Sequence, residues 1–192
     1  RELPSPPPPE EPLPGPQGTI SVGATFDFGS LDGSAGGVLL SGEVVIPILS
    51  FGASFIALPY APRERPASLV VYRLLGGRVR ACTRQPYLEA FGASMCGGLL
   101  IAERYADSRD EGVTIDDERS VFLAAVLMFE VSRRIVGPMG LYADLGLAIP
   151  FFKKDLDVRA PAGNVLEAQD LPVVLQMGTG LRFWIGDSAD KK

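Results

Sequence analysis

Apolar side chains recur at every second position in eight segments of this chain, the spacing that places successive residues on opposite faces of a strand. From 18 to 29, Ile20, Val22, Ala24, Phe26 and Phe28 alternate with Ser21, Gly23, Thr25, Asp27 and Gly29. Over 37–48, Val38, Leu40, Val44 and Ile46 oppose Ser41 and Glu43; over 50–59, Phe51, Ala53, Phe55 and Ala57 oppose Ser50, Gly52 and Ser54. Segment 88–104 sets Met95, Leu99 and Ile101 against Ser94, Cys96 and Arg104, and 120–134 sets Val121, Leu127 and Phe129 against Glu130 and Arg134. Segment 140–152 sets Leu141, Leu145 and Leu147 against Tyr142 and Asp144; 172–185 sets Leu175, Met177 and Leu181 against Gln176, Gly178 and Arg182. Segment 68–84 is less regular. Leu69, Val71, Leu75 and Val79 oppose Arg78, Arg80 and Cys82, but Arg73 falls on the apolar side, and a bulge at Gly76-Gly77 is expected to return it to the polar one. β-Branched, aromatic and glycine residues favour strand in seven segments. Segment 120–134 is rich in Ala, Leu, Met and Glu, so a helix remains open there, although no cap brackets it.

Eight alternating segments predict an all-β chain, and the polar face decides which way it is turned. Gly, Ser and Ala dominate that face, as a narrow interior requires, and its charges balance. Asp27, Glu43, Glu130 and Asp144 stand against Arg78, Arg80, Arg134 and Arg182, which suits an enclosed, mutually paired network. The large side chains of the other face would then meet lipid, the inside-out arrangement of a membrane-spanning barrel. Closure of such a barrel leaves no edge N–H group in hydrocarbon. The longest uninterrupted apolar run, residues 121–129, is nine residues, too short for a membrane helix. Connections alternate long and short as an up-and-down barrel asks: 31–36, 60–67, 106–119 and 153–170 are the long ones, and 47–50, 84–87 and 135–138 the short. A soluble lipocalin-like barrel, with the apolar face inward, is the competing reading.

The segments GLYADLGLAIPF (140–151) and VVLQMGTGLRFWIG (173–186) carry a resemblance. Over residues 18–187 the layout resembles the eight-stranded outer-membrane barrels of the OmpA and OmpX kind. That resemblance implies an antiparallel up-and-down transmembrane β-barrel in a bacterial outer membrane, with both termini periplasmic. It identifies an architecture and no particular member. One departure is the end of the chain: such barrels usually finish on an aromatic residue, whereas here Phe183 and Trp184 are followed by a polar tail, 188–192.

Cys82 and Cys96 flank the fourth hairpin, share the polar parity, and are equidistant from residue 89, close to the expected turn. A disulfide is therefore available, and an oxidising compartment would form it. Two reduced buried thiols are the alternative. The spacing rules out a CxxC redox or metal motif.

Composition narrows the function. No histidine is present, which removes Ser-His-Asp and Cys-His catalysis and most zinc and non-haem iron centres; no enzyme and no cofactor are expected. A net charge of −5 argues against nucleic acid as a partner. Eight of the first sixteen residues are proline, so 1–17 reads as an extended Pro-rich periplasmic linker. A chain that opens on Arg1 is expected to be processed or excised, with any signal peptide or upstream domain preceding it. Asp107, Asp110, Glu111, Asp116, Asp117 and Glu118 crowd one long loop; calcium is one reading and a solvated acidic loop the other, since EF-hand spacing is lacking. The expected role is a non-enzymatic membrane anchor or interaction protein. Its partners would be outer-membrane lipid and an envelope protein met through the Pro-rich arm or the loops. A narrow channel is the alternative, although eight strands leave a lumen that side chains can fill.

Overall fold

A computed structural model describes residues 17–30, 34–46, 49–65, 68–85, 92–108, 114–115, 119–153, 157–159, 165–167 and 172–186. Residues 1–16 of the expected Pro-rich arm, the acidic residues Asp110, Glu111, Asp116, Asp117 and Glu118, the side chain of Asp107, and the tail lie outside the described residues, while Gln17, expected in the arm, opens the first strand.

The strands are β1 (Gln17–Phe28), β2 (Ser34–Val45), β3 (Leu49–Arg65), β4 (Ser68–Gln85), β5 (Gly92–Ser108), β6 (Thr114–Ile115), β7 (Arg119–Val136), β8 (Met139–Lys153), β9 (Asp157–Arg159), β10 (Val165–Glu167) and β11 (Val174–Ile185). Eight of them close into a barrel in the order β1-β11-β8-β7-β5-β4-β3-β2, every neighbouring pair antiparallel. Closure pairs Gly18 with Ile185, so both ends of the barrel chain leave at one rim, the near rim, together with the connections 46–48, 86–91 and 137–138. The last is a two-residue hairpin in which Gly137 takes φ +52° and Pro138 follows, the order a type II′ connection asks for. Residues 120–134 are strand, and the helical alternative falls.

The faces sort by parity. Outward residues are apolar and half exposed, among them Ile20, Val38, Phe55, Leu99, Leu127 and Leu147. On β7 the apolar run from Val131 to Val121 is bracketed by the exposed Arg133 and Arg119. Its ten residue steps correspond to roughly 33 Å along the strand and about 25 Å normal to a bilayer at ~40° tilt, the height of a lipid-facing band. A soluble barrel with its apolar face inward is therefore excluded.

Three local expectations are corrected. The β3–β4 and β4–β5 registers run unbroken through Gly76-Gly77, so Arg73 stays outward; the irregularity is on β3, between Leu58 and Ala61. Both glycines keep the regular ladder, and at Gly76 a Cβ would stand 2.7 Å from that of Ala102, so glycine answers a close approach of β4 to β5 there. The expected loop at 60–67 is mostly strand, since β3 and β4 continue pairing to Arg65–Ser68 and satisfy their backbone groups in the ladder. Finally, β6, β9 and β10, within expected loops, form a separate three-stranded sheet.

Candidate functional site

The lumen is filled in tiers. Towards the far rim lies an apolar plug that includes Leu39, Leu58, Leu74, Leu100, Phe122 and Val126, all inward on their strands and buried. Sequence parity alone points to a small, polar interior, and these residues depart from it. Nearer the other rim, Glu43 on β2, Arg80 on β4, Glu130 on β7 and Arg182 on β11 converge. These are every second strand around the barrel. In a closed barrel, alternate strands bring their inward residues to the same height, so four strands supply one layer.

The layer is a ring of alternating sign. Arg182 Nη1 donates to Glu130 Oε1 at 2.5 Å, and Glu130 Oε2 lies 2.9 Å from Arg80 Nη1 in an ion pair without good hydrogen-bond alignment. Arg80 Nη2 donates to Glu43 Oε2 at 3.1 Å, and Glu43 Oε2 faces Arg182 Nη2 at 4.0 Å. Each charge thus meets two of opposite sign, as removal from water demands. Arg182 Nε also donates to Ser21 Oγ at 3.0 Å, and its guanidinium lies 5.2 Å from the Tyr142 ring centre.

The other expected network members take different places. Arg78 is buried above Arg80, donates from Nε to Ser54 Oγ at 3.2 Å, and is attracted by Asp144, itself buried on β8. Asp27, buried near the far rim, accepts from the Ser30 amide at 3.0 Å, from the Ser30 hydroxyl, and from Gln176 Nε2 at 3.0 Å. Arg134 is the correction. Its parity is inward, but it stands where β7 leaves the barrel, beside the irregularity between Arg134 and Val136, and is exposed with its guanidinium 4.9 Å from the Trp184 ring centre. That indole covers Gly140, where a Cβ would come within 2.7 Å of it. Arg104, outside the expected set, is the fourth buried arginine: it donates to Ser120 Oγ at 2.9 Å and stacks 5.5 Å from the Phe122 ring centre. Its inward parity was the available signal. With Arg104 in place of Arg134, the described lumen still holds four carboxylates and four guanidinia.

Cys82 and Cys96 are directly paired across β4 and β5 and joined in a disulfide 1% exposed. Among the described residues, no group of three or more acidic, cysteine or histidine side chains is placed to hold a metal ion.

No family model and no curated protein matches the sequence. Solved structures do match in shape. Neisserial surface protein A aligns with a TM-score of 0.59 at 15% identity, over 90% of this chain and 99% of that one. A major outer membrane protein from Thermus thermophilus aligns at 0.62 and 11% identity, covering 89% and 100%. Ail, the attachment invasion locus protein of Yersinia pestis, solved with the heparin analogue sucrose octasulfate, aligns at 0.53 and 13% identity, covering 88% and 99%. The fold is that of a small outer-membrane barrel. In barrels of this fold the outward apolar band faces lipid, and the charge ring of this chain then lies within the membrane span.

Proposed function

We propose that this chain is a bacterial outer-membrane barrel that serves as a non-enzymatic membrane anchor and interaction protein with a closed lumen. The near rim, with both termini, faces the periplasm. Residues 1–16 form a Pro-rich arm leading to an N-terminal domain or envelope partner, and the acidic loops face outward.

The observation that carries this reading is an interior with two successive barriers, the apolar plug and the self-neutralising ring, inside an exterior whose apolar band matches a bilayer. Eight strands enclose just enough room for side chains, and here those side chains pair and pack. A solute path would need both tiers to open, which weighs against a channel. The absence of histidine from the whole sequence supports the non-enzymatic part.

Two measurements test the proposal. Refolded protein should need detergent or lipid and run faster on gels unheated than boiled, as closed barrels do; a monodisperse protein in plain buffer would refute the membrane placement. Reconstituted in planar bilayers, it should give no steady conductance, and stable open channels would refute the closed lumen.

A further inference from the structure

We propose that the outer wall carries a binding site for a phosphate-bearing lipid headgroup, built from Arg73, Tyr105 and Arg119 at the upper edge of the apolar band. The inference rests on the membrane reading above and deepens it by naming the lipid chemistry.

The site is a single row across three adjacent strands. Arg73 on β4 is directly paired with Tyr105 on β5, and Tyr105 with Arg119 on β7. All three have outward parity, and both arginines are exposed. Directly beneath the row, Leu75 and Val121, 44% and 45% exposed, flank Glu103, and Ile101, 57% exposed, follows one outward step lower on β5. The row therefore sits one outward step above the apolar band on β4 and β7 and two on β5, at headgroup depth, where tyrosine and arginine are both at home. It is on the far rim, opposite the termini.

The chemistry is that of an anion cradle. Neighbouring strands place opposed residues about 5 Å apart, so the two arginines flank the tyrosine from roots roughly 10 Å apart. Both side chains are long enough to meet over it. The Arg119 guanidinium already lies 5.4 Å from the Tyr105 ring centre. Tyr105 donates its hydroxyl proton to Glu103 Oε2 at 2.5 Å. Glu103 thus ties the phenol down towards the band and places a carboxylate beside the row. Two guanidinia outnumber the Glu103 carboxylate there, on a chain of net charge −5. Guanidinium forks match phosphate oxygens two at a time, which an ammonium does not. Arg73, held outward by a register that has no bulge at Gly76-Gly77, makes no ion pair among the described residues.

The test uses the whole chain, refolded in micelles and first shown to be a closed barrel by its gel shift. The probes are a bisphosphorylated disaccharide glycolipid, the same glycolipid dephosphorylated, and inorganic phosphate alone. Native mass spectrometry reads the bound lipid. The wild type should retain the bisphosphorylated glycolipid over the dephosphorylated one, and an excess of inorganic phosphate should not displace it. The double variant Arg73→Gln/Arg119→Gln should lower retention roughly thirtyfold, at about one decade per 1.4 kcal/mol and near 1 kcal/mol per arginine. Glu103→Gln should raise retention, a gain that no general loss of folding produces. Equal retention of both glycolipids, an unchanged double variant, or displacement by inorganic phosphate overturns the site. Failure to form a gel-shifting barrel would instead overturn the membrane reading on which it rests.

Discussion

Truncating Arg182 to alanine is the sharpest perturbation of the charge ring. The side chain is 2% exposed and holds Glu130 at 2.5 Å, Ser21 at 3.0 Å and Glu43 at 4.0 Å. Its loss leaves Glu130 and Glu43 sharing Arg80 as the remaining ring cation, with two negative charges in a dry lumen. Removing one partner of a buried pair costs about 3–5 kcal/mol, most of it the stranded opposite charge. Arg182→Ala should therefore lower stability by roughly 4 kcal/mol. With a urea slope of about 2 kcal/mol per molar, the unfolding midpoint falls by about 2 M.

The assay is urea unfolding in detergent, followed by the gel shift and by the fluorescence of Trp184, the single tryptophan of the chain. Thr83→Ala, an exposed outward change, is the control and should stay within about 0.5 kcal/mol. Arg182→Met/Glu130→Gln removes both charges and keeps volume, so it should recover most of the loss. If Arg182→Ala unfolds at the same urea concentration as the control, water reaches the ring and the enclosed, paired lumen is wrong.

Three further outcomes follow from other parts of the barrel. Native protein should show no free thiol, and reductant should open Cys82–Cys96 only on unfolding, because the pair is 1% exposed; Cys82→Ser should cost about 3 kcal/mol in urea unfolding. Leu127→Arg, in the middle of the outward band on β7, should cost about 2–4 kcal/mol in lipid vesicles, and no cost there would deny lipid contact. Gly140→Ala should destabilise by pressing a methyl into the Arg133 carbonyl and the Trp184 ring, seen as a lower urea midpoint with altered Trp184 emission.

Face and topology were legible in the sequence because period two maps directly onto the two sides of a sheet, and because β-hairpin register is symmetric about its turn. Cys82 opposite Cys96 was found that way. Parity gives the side of the wall but not the height. Arg134 has inward parity, yet it emerges at a rim where the lumen is open to water, while Arg104 with the same parity lies deep in the barrel. The apolar plug was masked by its own composition. Where Leu39, Leu74, Leu100 and Phe122 face inward, their neighbours Leu40, Leu75, Ile101 and Leu123 face out, and alternation dissolves into a continuous run. Such a run, VFLAAVLMF at 121–129, is the mark of a strand covered on both faces.

The ring itself was not readable, since its neighbours come from strands two apart and meet only once the barrel closes with its stagger. That origin makes a distinctive prediction. Glu130→Arg/Arg182→Glu exchanges two partners that stand 2.5 Å apart. An isolated pair would tolerate the exchange, because the attraction merely changes direction. In the ring it places the new cation at position 130 against Arg80 and the new carboxylate at position 182 against Glu43, so two of the four contacts turn repulsive. The double exchange should then cost more than Arg182→Ala, on the order of 5 kcal/mol. Reversing Arg80 and Glu43 as well restores alternating sign and should recover much of the stability, as read by the urea midpoint. A double exchange as stable as the wild type would reduce the ring to separate pairs.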